Sequence, residues 1–176
     1  MRDIMGTLLQ KICFLRNGLG VILLTIVSWN SQANWLFDGT LIIPPVCQLG
    51  HEDPIRVSFG KVGVRKVDGH LFKQNIPYQL NCQGDLNQPW DITLSFNATL
   101  AGSGFDNATL RTSSLLNVNK LGIQIQKDGV PLELNKAFAI DTGHLPVLSA
   151  VPIKRTGVDL VGDDFTAQGT LAIAFQ

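Results

Sequence analysis

Apolar and polar residues alternate with a period of two through most of this chain, and the alternation is clearest at its two ends. Along 165–176, Phe165, Ala167, Gly169, Leu171, Ile173 and Phe175 share one face. Thr166, Gln168, Thr170, Ala172, Ala174 and Gln176 share the other, as in a β-strand with one buried side. Gly169 is a notch in the bulky row, where another backbone could come close. With Gln176 as the last residue, no following segment is expected to cover this strand. Its outer edge is then either covered from elsewhere or left open for pairing with another chain.

The stretch 34–43 repeats the pattern. Trp35, Phe37, Gly39, Leu41 and Ile43 alternate with Leu36, Asp38, Thr40 and Ile42, and Pro44-Pro45 ends the run because proline cannot continue a ladder. Between the ends, short strands are predicted at 55–59, at Ile76 to Cys82, at Trp90 to Leu100, and at Leu121 to Ile125. A turn at Asp128-Gly129 leads into Val130, Leu132 and Leu134, and Val147 to Ile153 supplies a further strand before the last. Turns are read at Gly60/Gly63, Asp68-Gly69, Gly84-Asp85, 102–107, Thr142-Gly143 and Gly162-Asp163. No segment carries a helical period, so the fold expected is an all-β antiparallel sandwich.

Of the 176 residues, 45% are hydrophobic and 17 are glycine, enough for one domain with a real core and against disorder. Residues 1–33 read as a secretory signal. Arg2, Lys11 and Arg16 precede the apolar run Leu19 to Val27, and Ser31-Gln32-Ala33 ends in small residues, with cleavage expected after Ala33. A membrane anchor is the rival reading, but the apolar run is about half of the roughly 20 residues a span needs. Cleavage removes three basic residues and one acidic, leaving 11 basic and 13 acidic and a net charge of −2. That balance argues against nucleic acid or an anionic membrane surface as partner.

Cys13 leaves with the signal, so Cys47 and Cys82 remain, and in an exported chain they are expected to form a structural disulfide. Two free thiols or a metal site are the alternatives, the second needing more ligands than lie near. No metal or cofactor is expected. His51-Glu52-Asp53 sits before Pro54 as a solvated loop, and Gly162-Asp163-Asp164 lacks the spaced oxygens of a calcium loop. His70 and His144 have no adjacent nucleophile, and Gly102-Ser103-Gly104 lacks the surroundings of a nucleophile elbow, so an enzyme is not expected. Asn97-Ala-Thr99 and Asn107-Ala-Thr109 match a glycosylation acceptor, a common chance match.

Taken in order, the signal peptide, the alternating extension with Gly39, the run Gly39-Thr-Leu-Ile-Ile-Pro-Pro-Val-Cys47, the second cysteine in Tyr78-Gln-Leu-Asn-Cys82 and the alternating C-terminal strand resemble a pilin subunit of the bacterial chaperone–usher pathway. The resemblance spans the mature chain. It implies an incomplete immunoglobulin-like sandwich lacking its last strand, with 1–33 as signal peptide, 34–43 as donor-strand extension and 44–176 as pilin domain. The groove left open would be bordered by Phe165, Ala167, Gly169, Leu171, Ile173 and Phe175. A periplasmic chaperone would lend it a strand and hold the Gln176 carboxylate with basic residues.

At the outer-membrane usher, the extension of a neighbouring subunit would replace that strand. Trp35, Phe37, Gly39, Leu41 and Ile43 are this chain's own donor residues by position. The place implied is a fimbrium on the bacterial surface, reached through the periplasm, and the likeness is to minor tip or adaptor pilins. Phe175 stands where the family usually has tyrosine, and only Asn34 to Asp38 precede Gly39. The alternative is a single-domain tip adhesin, binding a host receptor through loops such as 102–112.

Overall fold

The computed structural model describes residues 34–43, 45–50, 54–84 and 90–175, and ten strands lie among them. They are β1 Val46–Leu49, β2 Gln74–Asn75, β3 Leu80–Gln83, β4 Ile92–Ala98, β5 Thr109–Arg111, β6 Leu121–Lys127, β7 Val130–Pro131, β8 Ala137–Ala139, β9 Leu148–Lys154 and β10 Gly169–Phe175. A single 3₁₀ turn at Val64–Lys66 is the only helical element among the described residues. The expected signal peptide, Pro44, the 51–53 cluster, Asp85 of the expected Gly84-Asp85 turn and Gln176 fall outside the described residues.

Contacts divide the chain into Met1–Thr40 and Leu41–Gln176. In the second unit, β2-β9-β6-β5 form one sheet with β7 added to β6; β10-β4-β8 form another, and β1-β3 a two-stranded ribbon. Every ladder is antiparallel. Phe96 of β4 packs in one cluster with Leu110, Ile123, Ile125, Leu148 and Ala150 of the larger sheet, so the two sheets share a core as a sandwich does.

Three of the alternating stretches became seven-residue strands, β4, β6 and β10. In β4, Ile92, Leu94 and Phe96 are buried while Thr93, Ser95 and Asn97 are only partly so. The turn after β6 forms as expected: Asp128 (φ 51°) and Gly129 (φ 83°) both take the left-handed conformation that a two-residue hairpin turn demands. Lys127 then pairs with Val130. The expected strand at 55–59 does not form. Val57 and Phe59 are half-buried between exposed Arg56 and Ser58, but among the described residues no strand offers this segment a ladder.

Three short strands have no period of their own to announce them. β5 is set by Asp106, whose carboxylate accepts from Ala108 N at 3.1 Å, Thr109 Oγ1 at 2.5 Å and Gln124 Nε2 at 2.6 Å. β8 follows Asn135 (φ 62°), whose side-chain amide accepts from Ala98 N at 3.0 Å and donates to Ala98 O at 3.1 Å. That amide closes the end of β4 as a neighbouring strand would. β1 opens directly after buried Pro45 and is joined to β3 by a disulfide.

Cys47 and Cys82 form the expected disulfide, directly opposite each other in the β1–β3 ladder. Closing a 35-residue separation stabilises the fold by roughly 3.5–4 kcal/mol in the chain-entropy picture. Cys47→Ser with Cys82→Ser is therefore expected to lower unfolding free energy by about that amount. Urea titration of oxidised and doubly substituted protein measures it, and equal midpoints would show that the bridge adds nothing.

Candidate functional site

The candidate site begins with the outer row of β10. Its register with β4 places Leu171 opposite Phe96, Ile173 opposite Leu94 and Phe175 opposite Ile92. Directly opposed residues of an antiparallel pair share a face, so all six side chains point toward the core. Their burial is unequal. Leu94 is 0% exposed, Ile92 6% and Phe96 8%, whereas Leu171, Ile173 and Phe175 are only half-buried. The apolar row is thus covered above β4 and uncovered above β10.

β10 is hydrogen-bonded on one side only, at the end of the order β10-β4-β8. β1 comes within 8 Å of it, Cα to Cα, yet belongs to a separate ladder. Among the described residues no strand pairs with the outer edge of β10, which leaves a row of backbone donors and acceptors free beside partly exposed apolar side chains. Phe59, Ile76, Tyr78, Phe138 and Phe165 are also only partly buried where they pack against the core. The alternation of Ile76, Tyr78 and Leu80, the short run 55–59 that ends at Phe59 and the C-terminal alternation that begins at Phe165 were visible signals for most of this set; Phe138 had none.

The strand is shorter than its sequence pattern. Phe165 and Ala167 belong to the same alternation but lie outside the β4 ladder, because Thr166 pairs instead with Ser113 (N to O 2.7 and 3.1 Å). Phe165 turns its ring to Phe59, centroids 6.0 Å apart, while Ala167 is exposed. Gly169 is inside the strand, and its notch is taken by this chain's own Phe96. A Cβ at 169 would lie 2.8 Å from Phe96 Cζ, so glycine here lets the neighbouring ring lie flat across the strand.

The bend ahead of β10 is tied to the 113–118 loop. Asp163 accepts from Ser114 Oγ at 2.7 Å and Leu116 N at 2.8 Å, and those donors hold its carboxyl below the usual carboxylate range. The amide of buried Asn117 both donates to Val161 O and accepts from Val161 N, each at 2.9 Å. Gly162-Asp163 is therefore a turn whose carboxylate fastens one loop to another.

The other end of the alternating pattern is solvent-facing. Residues 34–43 carry no strand, against the expectation from their period. Trp35 is 79% exposed, Phe37 87%, Leu41 101% and Ile43 87%, and nothing lies within 4 Å of where a Cβ on Gly39 would be. A β-strand needs a partner for its backbone, and among the described residues this segment pairs with none. Five residues patterned for burial are left in water.

Elsewhere the chemistry is sparse. Asp141 accepts from Gly143 N at 2.8 Å and approaches His144 Nδ1 at 3.3 Å; both lower its pKa, the backbone donor more. Asp141 and His144 border a shallow 310 Å³ hollow with Lys127 and Asp128. No three metal-ligating side chains converge among the described residues, and no helix there is long and apolar enough to cross a membrane. Residues 108–112, part of the loop that could serve a receptor, are mostly core: Ala108, Thr109, Leu110 and Thr112 are all buried.

A family profile described as fimbrial protein matches residues 35–176. The fimbrial-like protein YfcQ of Escherichia coli (strain K12) is 32% identical over 144 residues, spanning 80% of this chain and 85% of that one. Two solved structures share the fold. The P pilus adaptor subunit PapF has a TM-score of 0.53 at 20% identity, covering 77% of this chain and 98% of its own. The P pilus rod subunit PapA has 0.55 at 16%, covering 81% and 100%.

Proposed function

The chain belongs to the fimbrial protein family, and from that premise we propose that it is a fimbrial subunit completed by strands from other molecules. The incomplete sandwich takes a strand from a periplasmic chaperone before assembly. It then exchanges that strand, at an outer-membrane usher, for the extension of a neighbouring subunit. The family is one of structural pilus subunits rather than enzymes, and it places the protein in a surface fimbrium.

One observation carries the reading: the half-buried row Leu171, Ile173, Phe175 beside a strand edge that no described strand pairs. Strand addition supplies main-chain hydrogen bonds along such an edge and side-chain pockets for specificity. The exposed alternation of Trp35, Phe37, Leu41 and Ile43 is the complementary half, a strand with no sheet of its own. Burying each bulky donor side chain contributes about 1.5–3 kcal/mol, so four of them make a long-lived joint. Each subunit would use one end as donor and the other as acceptor. Head-to-tail joints of that kind do not close, and they build a fibre.

In this scheme the donor residues are Trp35, Phe37, Gly39, Leu41 and Ile43. The acceptor is bordered by β10, with the Gln176 carboxylate as the chaperone's anchor. Phe165 and Ala167 flank the groove rather than line its hydrogen-bonded edge, since Thr166 is already paired with Ser113. Periplasmic expression of the mature chain with and without a cognate pilus chaperone is the test. A soluble one-to-one complex, with aggregation of the chain alone, is the expected result. A stable soluble monomer without chaperone would overturn the proposal.

A further inference from the structure

Outside the strand edge and the 34–43 segment, an apolar surface stands on the loop between β5 and β6. Leu115 is 88% exposed, Leu116 56% and Val118 59%, and Val161 beside them is 50% exposed. Four exposed aliphatic side chains in one place call for a reason. The loop is also firmly built. Asn117 is 3% exposed and grips Val161 through two hydrogen bonds, Asp163 holds Ser114 and Leu116, and Ser113 pairs with Thr166. These contacts fix the patch just ahead of Gly169, the first residue of β10.

We infer that this patch is a second docking surface, seating the root of the domain of another copy of this chain whose extension fills the groove. The inference rests on the donor-strand reading above and adds a domain-to-domain contact to it. The argument is one of direction and length. Every ladder in the molecule is antiparallel, so a strand added to β10 in the same manner starts at the Phe175 end and leaves at the Gly169 end. Residues 35–43 span nine positions, about 30 Å when extended, against seven in β10, about 23 Å.

An antiparallel donor with Trp35 level with Phe175 has Ile43 level with Ala167, past the end of β10. Only residues 44 and 45 then separate Ile43 from Val46, the first residue of the donor's β1. The donor's domain cannot stand off from that end of the acceptor, and the acceptor surface it meets there is the 113–118 loop with Val161. Val46 is itself an exposed aliphatic residue, 64% accessible. An apolar root facing an apolar loop completes the contact, and an added parallel strand would instead put the root at the opposite end.

The test uses the full mature chain supplied as its soluble chaperone complex, so that each event is read as exchange against the chaperone's strand. Two quantities are measured: uptake of a fluorescent peptide of residues 34–43, and chain-to-chain joining by light scattering behind size exclusion. Leu116→Asp is expected to cut joining at least tenfold and leave peptide uptake within twofold, because the peptide has no domain behind it. Val46→Asp should behave likewise. Val46→Lys combined with Leu116→Asp should restore joining, since the opposed charges meet across each joint. Unchanged joining in Leu116→Asp, equal loss of joining and peptide uptake, or no rescue in the combined variant would each overturn the inference. Wild-type chain that takes up peptide but never joins would overturn it while leaving the strand edge intact. Failure of the peptide to bind at all would remove the donor-strand reading itself.

Discussion

Ile173→Arg is expected to abolish the complex with the chaperone while leaving secretion of the chain unaffected. Ile173 faces Leu94 across the β10–β4 ladder, yet it is half-exposed where Leu94 is sealed. In the proposed complex the incoming strand covers it. Arginine forfeits the aliphatic contact and would have to bury a guanidinium with no carboxylate beside it. The combined cost is about 3 kcal/mol or more, roughly a hundredfold in affinity.

Leu171→Arg should be at least as damaging, because Leu171 already packs against the core cluster. Thr170→Arg is the control: same strand, same charge, but on the opposite face and exposed. Co-purification of the three variants with a tagged chaperone reads the result. Ile173→Arg binding as well as Thr170→Arg would count decisively against the groove.

Gly39→Trp is expected to act on the other partner. Nothing lies within 4 Å of a Cβ at position 39, so the free chain has room for a large side chain and its chaperone complex should form normally. The effect appears only on insertion, where residue 39 enters a neighbour's groove and a bulky ring must displace packed side chains. Overpacking of that kind costs about 1–3 kcal/mol, enough to slow or block the exchange. Gly39→Ala should fall between the two. Transfer of each variant from chaperone complex to an acceptor subunit, followed by size exclusion, measures the step. Exchange of Gly39→Trp at the wild-type rate would refute the role given to this glycine.

Period-two alternation identified β4, β6 and β10 because the large apolar residues of each face the core, whereas β9, buried at every residue from Leu148 to Pro152, carries no such period. The alternation also marked 34–43, where no strand exists in the monomer. The pattern records which side chains are suited to burial and is silent on where the covering partner comes from. Short strands left a fainter trace. β5 and β8 are three residues each, held by Asp106 and Asn135 through side-chain hydrogen bonds that only the assembled chain can supply.

The β10 edge divides in the same way. The apolar row of Leu171, Ile173 and Phe175, the glycine at 39 and the two cysteines could be read residue by residue, since hydrophobicity, size and oxidation chemistry belong to single side chains. That Phe165 and Ala167 leave the ladder, that Phe96 fills the notch at Gly169, and that β10 ends its sheet with one side unpaired could not. Those outcomes depend on which of several competing partners wins each backbone group, and that competition is settled only when distant segments have been brought together.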